Sequence, residues 1–201
     1  SITEKSDFAL IAWVQEAKLE ARKVQTMPID LKELTKQLPT IRAMTTKDPA
    51  VFCSELCKLL ANCGIVLVFL PHIGGSFLHG ATFINNNKIV MGLTVRGKDA
   101  DKFWFSLFHE IGHILLGHLN RNGEIDDAAE KEADSFARDV LIPQSAFDSF
   151  VAQHNFSQEA IICFASSAGI APGIVVGRLQ KEGHLNFSCL NNLKVKYEIT
   201  A

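Results

Sequence analysis

Apolar positions recur along this chain with two periods, and the places where one period gives way to the other mark out helices and strands. The first helical pattern runs to about Lys23. Ser6 and Asp7 are placed to cap it, and Phe8, Ile11 and Val14 line its inner side. Pro28 ends the linker that follows, and Asp30 opens a short helix that closes before Pro39. Asp48-Pro49, a capping carboxylate followed by proline in the first turn, starts another helix that reaches about Asn62 and stops at Gly64. The pattern then changes. Ile65 to Leu70 is a continuous apolar run before Pro71 and reads as a buried strand. Phe77 to Ile84 and Lys88 to Val95 read as a hairpin around Asn85-Asn86-Asn87. In its second strand Ile89, Met91, Leu93 and Val95 form a core side, while Val90, Gly92 and Thr94 form a thinner, more polar one. That strand fits an edge to which a substrate peptide adds, and equally a plain structural edge.

Phe103 to Leu116 is apolar nearly all the way round, the pattern of a buried helix, with Asp99 and Asp101 bringing negative charge to its N-terminus. A polar loop from Asn120 to Asp127 leads into a helix around Glu130, with Ala133, Phe136, Ala137 and Val140 facing inward and Pro143 at its end. Ser157–Ala168 and Pro172–Gln180 form two more helices joined by Gly169-Ile170-Ala171, and Leu193–Ile199 a last strand. The expected class is α+β: a small mixed or antiparallel sheet packed on the buried helix, with additional helices at both ends. Three regions follow: an N-terminal helical arm over 1–45, a core over 46–150, and a C-terminal helical hairpin and strand over 151–201 packed on that core.

The buried helix has a polar middle. His109 and His113 are four residues apart, which stacks them on one helical face, and Glu110 sits beside the first. Unpaired polar groups in an apolar helix cost about 2–7 kcal/mol each, so a partner is required. Two imidazoles converging on one point, with a carboxylate offset to reach water there, is the H-E-x-x-H arrangement of a zinc peptidase. Gly112 between the histidines lowers helix propensity by about 1 kcal/mol, which points to another segment approaching the metal face closely. A third ligand must come from downstream. Glu130 and Glu132 both lie at a suitable distance, on opposite sides of their helix. Glu130 is preferred because it lies nearer the apolar stripe and Asp134 follows one turn on, placed to hold a ligand histidine's other N–H. Glu132 then faces solvent with Lys131, and His118, five residues past His113, is rotated away from the metal as a surface or supporting residue. The fourth position is left to water, whose proton Glu110 takes and returns to the leaving amine of a cleaved peptide. No spacing selects an oxyanion donor among Tyr197, His72, His79, His154, His184 and Arg96.

Composition narrows the setting. The 201 residues are 47% hydrophobic with a net charge of −2, which gives no reason to expect nonspecific binding to nucleic acid or anionic lipid. No apolar run approaches the roughly 20 residues of a membrane span, and the first residues lack the basic and apolar regions of a signal peptide. Five cysteines, an odd number, fit reduced thiols in a cytoplasmic protein. Cys53, Cys57 and Cys63 match no structural zinc spacing and are expected to pack in the core.

His109-Glu110-Ile111-Gly112-His113, followed by Glu130-Lys131-Glu132-Ala133-Asp134-Ser135-Phe136-Ala137 and Leu141-Ile142-Pro143, resembles the ImmA/IrrE-type metallopeptidases, which are minimal gluzincins. Gly80-Ala81-Thr82, Asp101 to Phe108, Ala171 to Gln180 and Asn192 to Tyr197 are similar to one branch of that family, usually fused behind a repressor-type helix-turn-helix and described as HigA-like antitoxins. The resemblance covers about residues 40–200. It implies a zincin-like fold and a cytoplasmic zinc protease that cleaves or controls a DNA-binding repressor, in stress responses or mobile elements. The chain shows no N-terminal helix-turn-helix, so the expectation is that one was removed or belongs to a separate partner protein. Residues 158–180 have the outline of a helix-turn-helix. Only Arg178 and Lys181 lie near its recognition surface, too few for direct nucleic-acid binding to be the favoured reading. The alternative to a protease is a zinc-stabilised, non-proteolytic regulatory module of a toxin–antitoxin pair. The intact Glu110 favours the enzyme, because a purely structural site has no use for a base beside an open position.

Overall fold

A computed structural model describes residues 2–70, 80–94, 99–120 and 126–197. Helix α1 (Ile2–Arg22) begins before the expected Ser6-Asp7 cap. Of the expected inner residues, Val14 packs at the core, Ile11 is exposed, and the Phe8 side chain lies outside the described residues; the buried face is made by Trp13, Ala17 and Ala21. Helix α2 (Leu31–Ala43) is capped by Asp30, which accepts from the Glu33 N–H at 2.9 Å. It does not close before Pro39 but runs through it. Pro39 and Thr35, whose carbonyl loses its helical donor to the proline ring, both lie on the exposed side, where the carbonyl is open to solvent. Helix α3 (Pro49–Asn62) has the expected Asp48 cap, with the Ala50 N–H donating at 2.8 Å.

Strands β1 (Ile65–Leu70), β2 (Gly80–Asn85) and β3 (Lys88–Thr94) form a mixed sheet in the order β1-β3-β2, β1 parallel and β2 antiparallel to β3. The hairpin residues 77–79 and Val95 lie outside the described residues. β3 is therefore central, and both edge-strand readings of it fail; among the described residues the edges of the sheet are β1 and β2. The signal that misled was Gly92, which thins one side of β3. That side is filled by Trp13 of α1, whose ring lies 2.3 Å from where a Cβ on Gly92 would sit. With Val66, Val68, Leu70 and Val90, Trp13 forms a small second core on this face.

The other face carries Ile65, Leu67, Ile89, Met91 and Leu93 into the main core, against α4 (Ala100–Leu115). Phe103, Trp104, Leu107, Phe108 and Ile111 of α4 are all buried, and each such side chain stabilises by about 1.5–3 kcal/mol. Trp104 Nε1 donates to Tyr197 Oη at 2.7 Å, which ties the C-terminal segment to α4. Over the described part of the expected last strand, which ends at Tyr197, Leu193 closes a 3-10 turn and one bridge forms, Asp99 with Lys196; residues 198 and 199 lie outside the described residues. Helix α5 (Asp127–Leu141) packs along α4 and is capped by Asp126 on the Ala129 N–H. Pro143 ends α5 but also opens an unexpected helix, α6 (Gln144–Val151), which buries Phe147 and Phe150.

Helices α7 (Gln158–Ala168) and α8 (Pro172–Lys181) turn at Gly169 as expected. Arg178, on which the DNA-binding alternative rested, points inward. Its guanidinium donates to the Ile142 carbonyl and to Gln144 Oε1, both at 2.6 Å, pairs with Glu182 at 2.8 Å, and lies over the Phe147 ring. It fastens α8 to the α5–α6 corner. Cys63 is buried and Cys53 and Cys57 half-buried, all three at the main core as expected. Among the described residues no single helix is long and apolar enough to cross a membrane.

Candidate metal centre

Helix α4 supplies His109, Glu110 and His113, and α5 supplies Glu130, Glu132 and Asp134. The two helices come close because Gly112 faces Ala133. A Cβ on Gly112 would lie 3.2 Å from Ala133 Cα and 3.1 Å from the Phe136 ring. The close approach expected from Gly112 is thus the packing of α5 against the histidine face, and it sets the reach of the acidic side chains.

His109 Nε2 and His113 Nε2 lie 3.0 Å apart. Glu130 Oε2 is 3.3 Å from the first and Glu130 Oε1 is 3.5 Å from the second. A four-coordinate zinc with bonds of about 2.0–2.1 Å spaces its ligands about 3.3 Å apart, so the three atoms already stand near the corners of such a site. The outer ring nitrogens decide what these corners present. His109 Nδ1 lies 2.8 Å from Asp134 Oδ1. An ionised carboxylate only accepts, so the proton is on Nδ1 and Nε2 offers a lone pair.

His113 reaches the same state by a longer route. Its Nδ1 is 2.8 Å from His118 Nδ1, and His118 Nε2 is 2.9 Å from Glu132 Oε2. With both rings neutral, Glu132 draws the proton to His118 Nε2, His118 Nδ1 accepts from His113 Nδ1–H, and His113 Nε2 keeps its lone pair inward. Two lone pairs and a carboxylate converge within 3.5 Å, an arrangement that repels itself without a cation among them. The donor set fits a divalent metal.

Two expectations are corrected here. Of the two places expected for His118 the supporting one holds, but it does not rotate away, because α4 ends at Leu115, Gly117 takes φ +75°, and a 3-10 turn (His118–Asn120) folds back beneath His113. Helical spacing stops applying three residues before it. Glu132 is half-exposed but not idle in solvent beside Lys131, since it holds His118. Among the described residues, His109, His113 and Glu130 form a group able to ligate a metal, and Glu132 stands outside it.

Glu110 is buried on the sheet side of the cluster. Thr82 Oγ1 of β2 donates to its Oε2 at 2.5 Å. Gly80, two residues earlier on the same strand face, leaves the room it needs: a Cβ there would lie 2.7 Å from Glu110 Oε1. Burial pushes the Glu110 carboxyl up to about 7, against the opposing pull of the Thr82 hydrogen bond and of His109. Burial, followed by the neighbouring imidazoles of His109 and His118, holds His113 down at about 4, so near neutral pH it is uncharged and able to ligate.

The described oxyanion candidates are not gathered here. Tyr197 is engaged with Trp104, His184 packs against Phe147 and Phe156, and His154 sits exposed in the turn after α6. His72, His79 and Arg96 lie outside the described residues. A separate cavity of about 380 Å³, between the N-terminal ends of α3, α4 and α8, shares no residue with the cluster.

Comparison with curated proteins finds no significant match. The model of a peptidase family, the IrrE N-terminal-like domain, matches residues 65–179, from β1 into α8 and across every member of the cluster. With more than half of the chain matched and the His109–His113–Glu130 group standing inside the matched span, the chain belongs to the IrrE N-terminal-like domain family of metallopeptidases.

Proposed function

We propose that this chain is a zinc-dependent endopeptidase, and that it acts on a DNA-binding transcriptional repressor of the helix-turn-helix type. The observation that carries the enzymatic reading is Glu110, a buried carboxylate held by Thr82 and housed over Gly80 beside a three-ligand cluster. Two imidazoles and one carboxylate suit zinc among the common divalent ions. A bound zinc supplies Lewis acidity toward a peptide carbonyl and acidifies water at the open position. Glu110 accepts a proton from the attacking water as its oxygen bonds to the carbonyl carbon. It then delivers that proton to the amine nitrogen as the C–N bond breaks. A carboxyl raised to about 7 by burial is suited to both halves of that transfer near neutral pH.

The repressor as substrate is supported by the stretches similar to the branch fused to repressor-type domains, Gly80-Ala81-Thr82 among them. The structure gives that triplet a role, since two of its three residues shape the Glu110 pocket. Five cysteines without a disulfide support work in a reducing compartment, the cytoplasm. The test is to incubate the zinc-loaded protein with the repressor encoded beside it, with Glu110→Gln as control. Wild type is expected to cleave, and the variant to keep its zinc while cleaving about 10²–10⁴-fold more slowly. Tight binding with cleavage by neither would instead favour a non-proteolytic module of a toxin–antitoxin pair.

A further inference from the structure

His118 is fully buried and titratable, yet it belongs to neither the ligand group nor the Glu110 pocket. It lies between two partners. Its ring meets His113 at 66° with centroids 5.0 Å apart, so the contact is the Nδ1–Nδ1 hydrogen bond and not a stack. On the far side Nε2 meets Glu132 at 2.9 Å. We infer that His118 and Glu132 are positioning residues that hold His113 in the tautomer offering Nε2 to the metal. This rests on the metallopeptidase reading above.

The physical argument is one of polarity. Two neutral imidazoles joined Nδ1 to Nδ1 have two arrangements, distinguished by which ring donates. If His118 donated, His113 Nε2 would carry its proton into the space shared with His109 Nε2 and Glu130, and coordination there would be blocked. Glu132 at the open end of the pair selects against that arrangement while His118 is neutral, because a carboxylate requires the proton on His118 Nε2 and a neutral ring carries only one. A direct carboxylate cannot do this for His113 as Asp134 does for His109. Glu132 is half-exposed on α5 while the His113 side chain is 2% exposed, and the His118 ring spans the gap.

The test uses the full chain labelled with ¹⁵N. Long-range ¹H–¹⁵N spectra show which nitrogen of each ring is protonated, and zinc affinity is read by competition with a chelator. Metal-free wild type is expected to show His113 protonated at Nδ1 and His118 at Nε2. His118→Leu, which removes the acceptor, is expected to weaken zinc binding by about 10- to 100-fold. His118→Asn, whose Oδ1 can stand near the position of the lost Nδ1, is expected to recover most of that loss. Wild-type His113 protonated at Nε2, or His118→Leu binding zinc as tightly as wild type, or His118→Asn binding no better than Leu, overturns the inference. If His118→Leu does not fold, the wild-type spectrum alone decides. Failure of the wild type itself to bind zinc is a separate result, which strikes the metallopeptidase reading and this inference with it.

Discussion

The two histidines of the cluster stand one turn apart on the same helix, offer the same nitrogen to the same point, and are supported in different ways. His109 is partly open to solvent, and Asp134 grips it directly. His113 is sealed beneath it and reaches a carboxylate only through a second imidazole. The difference follows from depth. A carboxylate on α5 keeps half its surface in water where it stands, and carrying it down to His113 would strip that hydration at a cost of several kcal/mol. A neutral ring crosses the same distance with both its nitrogens bonded. One helix thus builds two kinds of support, set by how far each ligand lies from solvent.

The contrast can be probed most strongly by removing the rings. His109→Ala and His113→Ala are both expected to abolish zinc binding by chelator competition. Only the second should also destabilise the metal-free protein by about 1–3 kcal/mol in urea denaturation, because it strands His118 Nδ1 in the interior. Equal metal-free stabilities would mean the relayed arm carries no structural weight. Next in size are the acidic ends of the two arms. Asp134→Ala is expected to weaken zinc by about 10- to 100-fold, and Glu132→Ala by less, since one ring separates it from the ligand. The reverse order would contradict the difference in depth.

The smallest effect, taken per pH unit, is the dependence of stability on pH. In metal-free protein between pH 4.5 and 6.5, unfolding adds a proton to His113, whose folded value is about 4, and removes one from Glu110, whose folded value is about 7. Stability rises with pH where the unfolded state binds more protons, so His113 contributes a rise and Glu110 an equal fall, and the two cancel. Glu110→Gln leaves the His113 contribution alone. Its stability is expected to climb with pH by roughly 1 kcal/mol per pH unit across that window, relative to wild type, in denaturation series with chelator present. A variant as flat as wild type would place His113 closer to solvent than it lies here.

What could be read from the sequence was what repeats at short range. The i, i+4 pair His109 and His113, the same spacing between Glu130 and Asp134, and the closeness implied by Gly112 all follow from helical periodicity, and the structure shows the contacts they suggest. Errors fell where periodicity ends or where a distant residue supplies the missing half. His118 was placed by extending α4 beyond Leu115, where Gly117 redirects the chain. Gly92 reads as part of a thinner, more polar side of β3 because the ring that covers it, Trp13, lies almost 80 residues earlier. Pro143 read as a stop because a proline ends one helix as readily as it begins the next, and α6 is only eight residues long. Thr82 and Gly80 were visible as a family-like triplet but not as the seat of Glu110, since strand register against α4 has no local signature.

X-ray absorption at the zinc edge of the loaded protein tests the site as a whole. Two imidazole nitrogens and low-atomic-number oxygens at about 2.0–2.1 Å, four ligands in all, are what His109, His113, Glu130 and one water predict. A sulfur shell near about 2.3 Å, or a single imidazole, would contradict it and send the metal elsewhere in the chain.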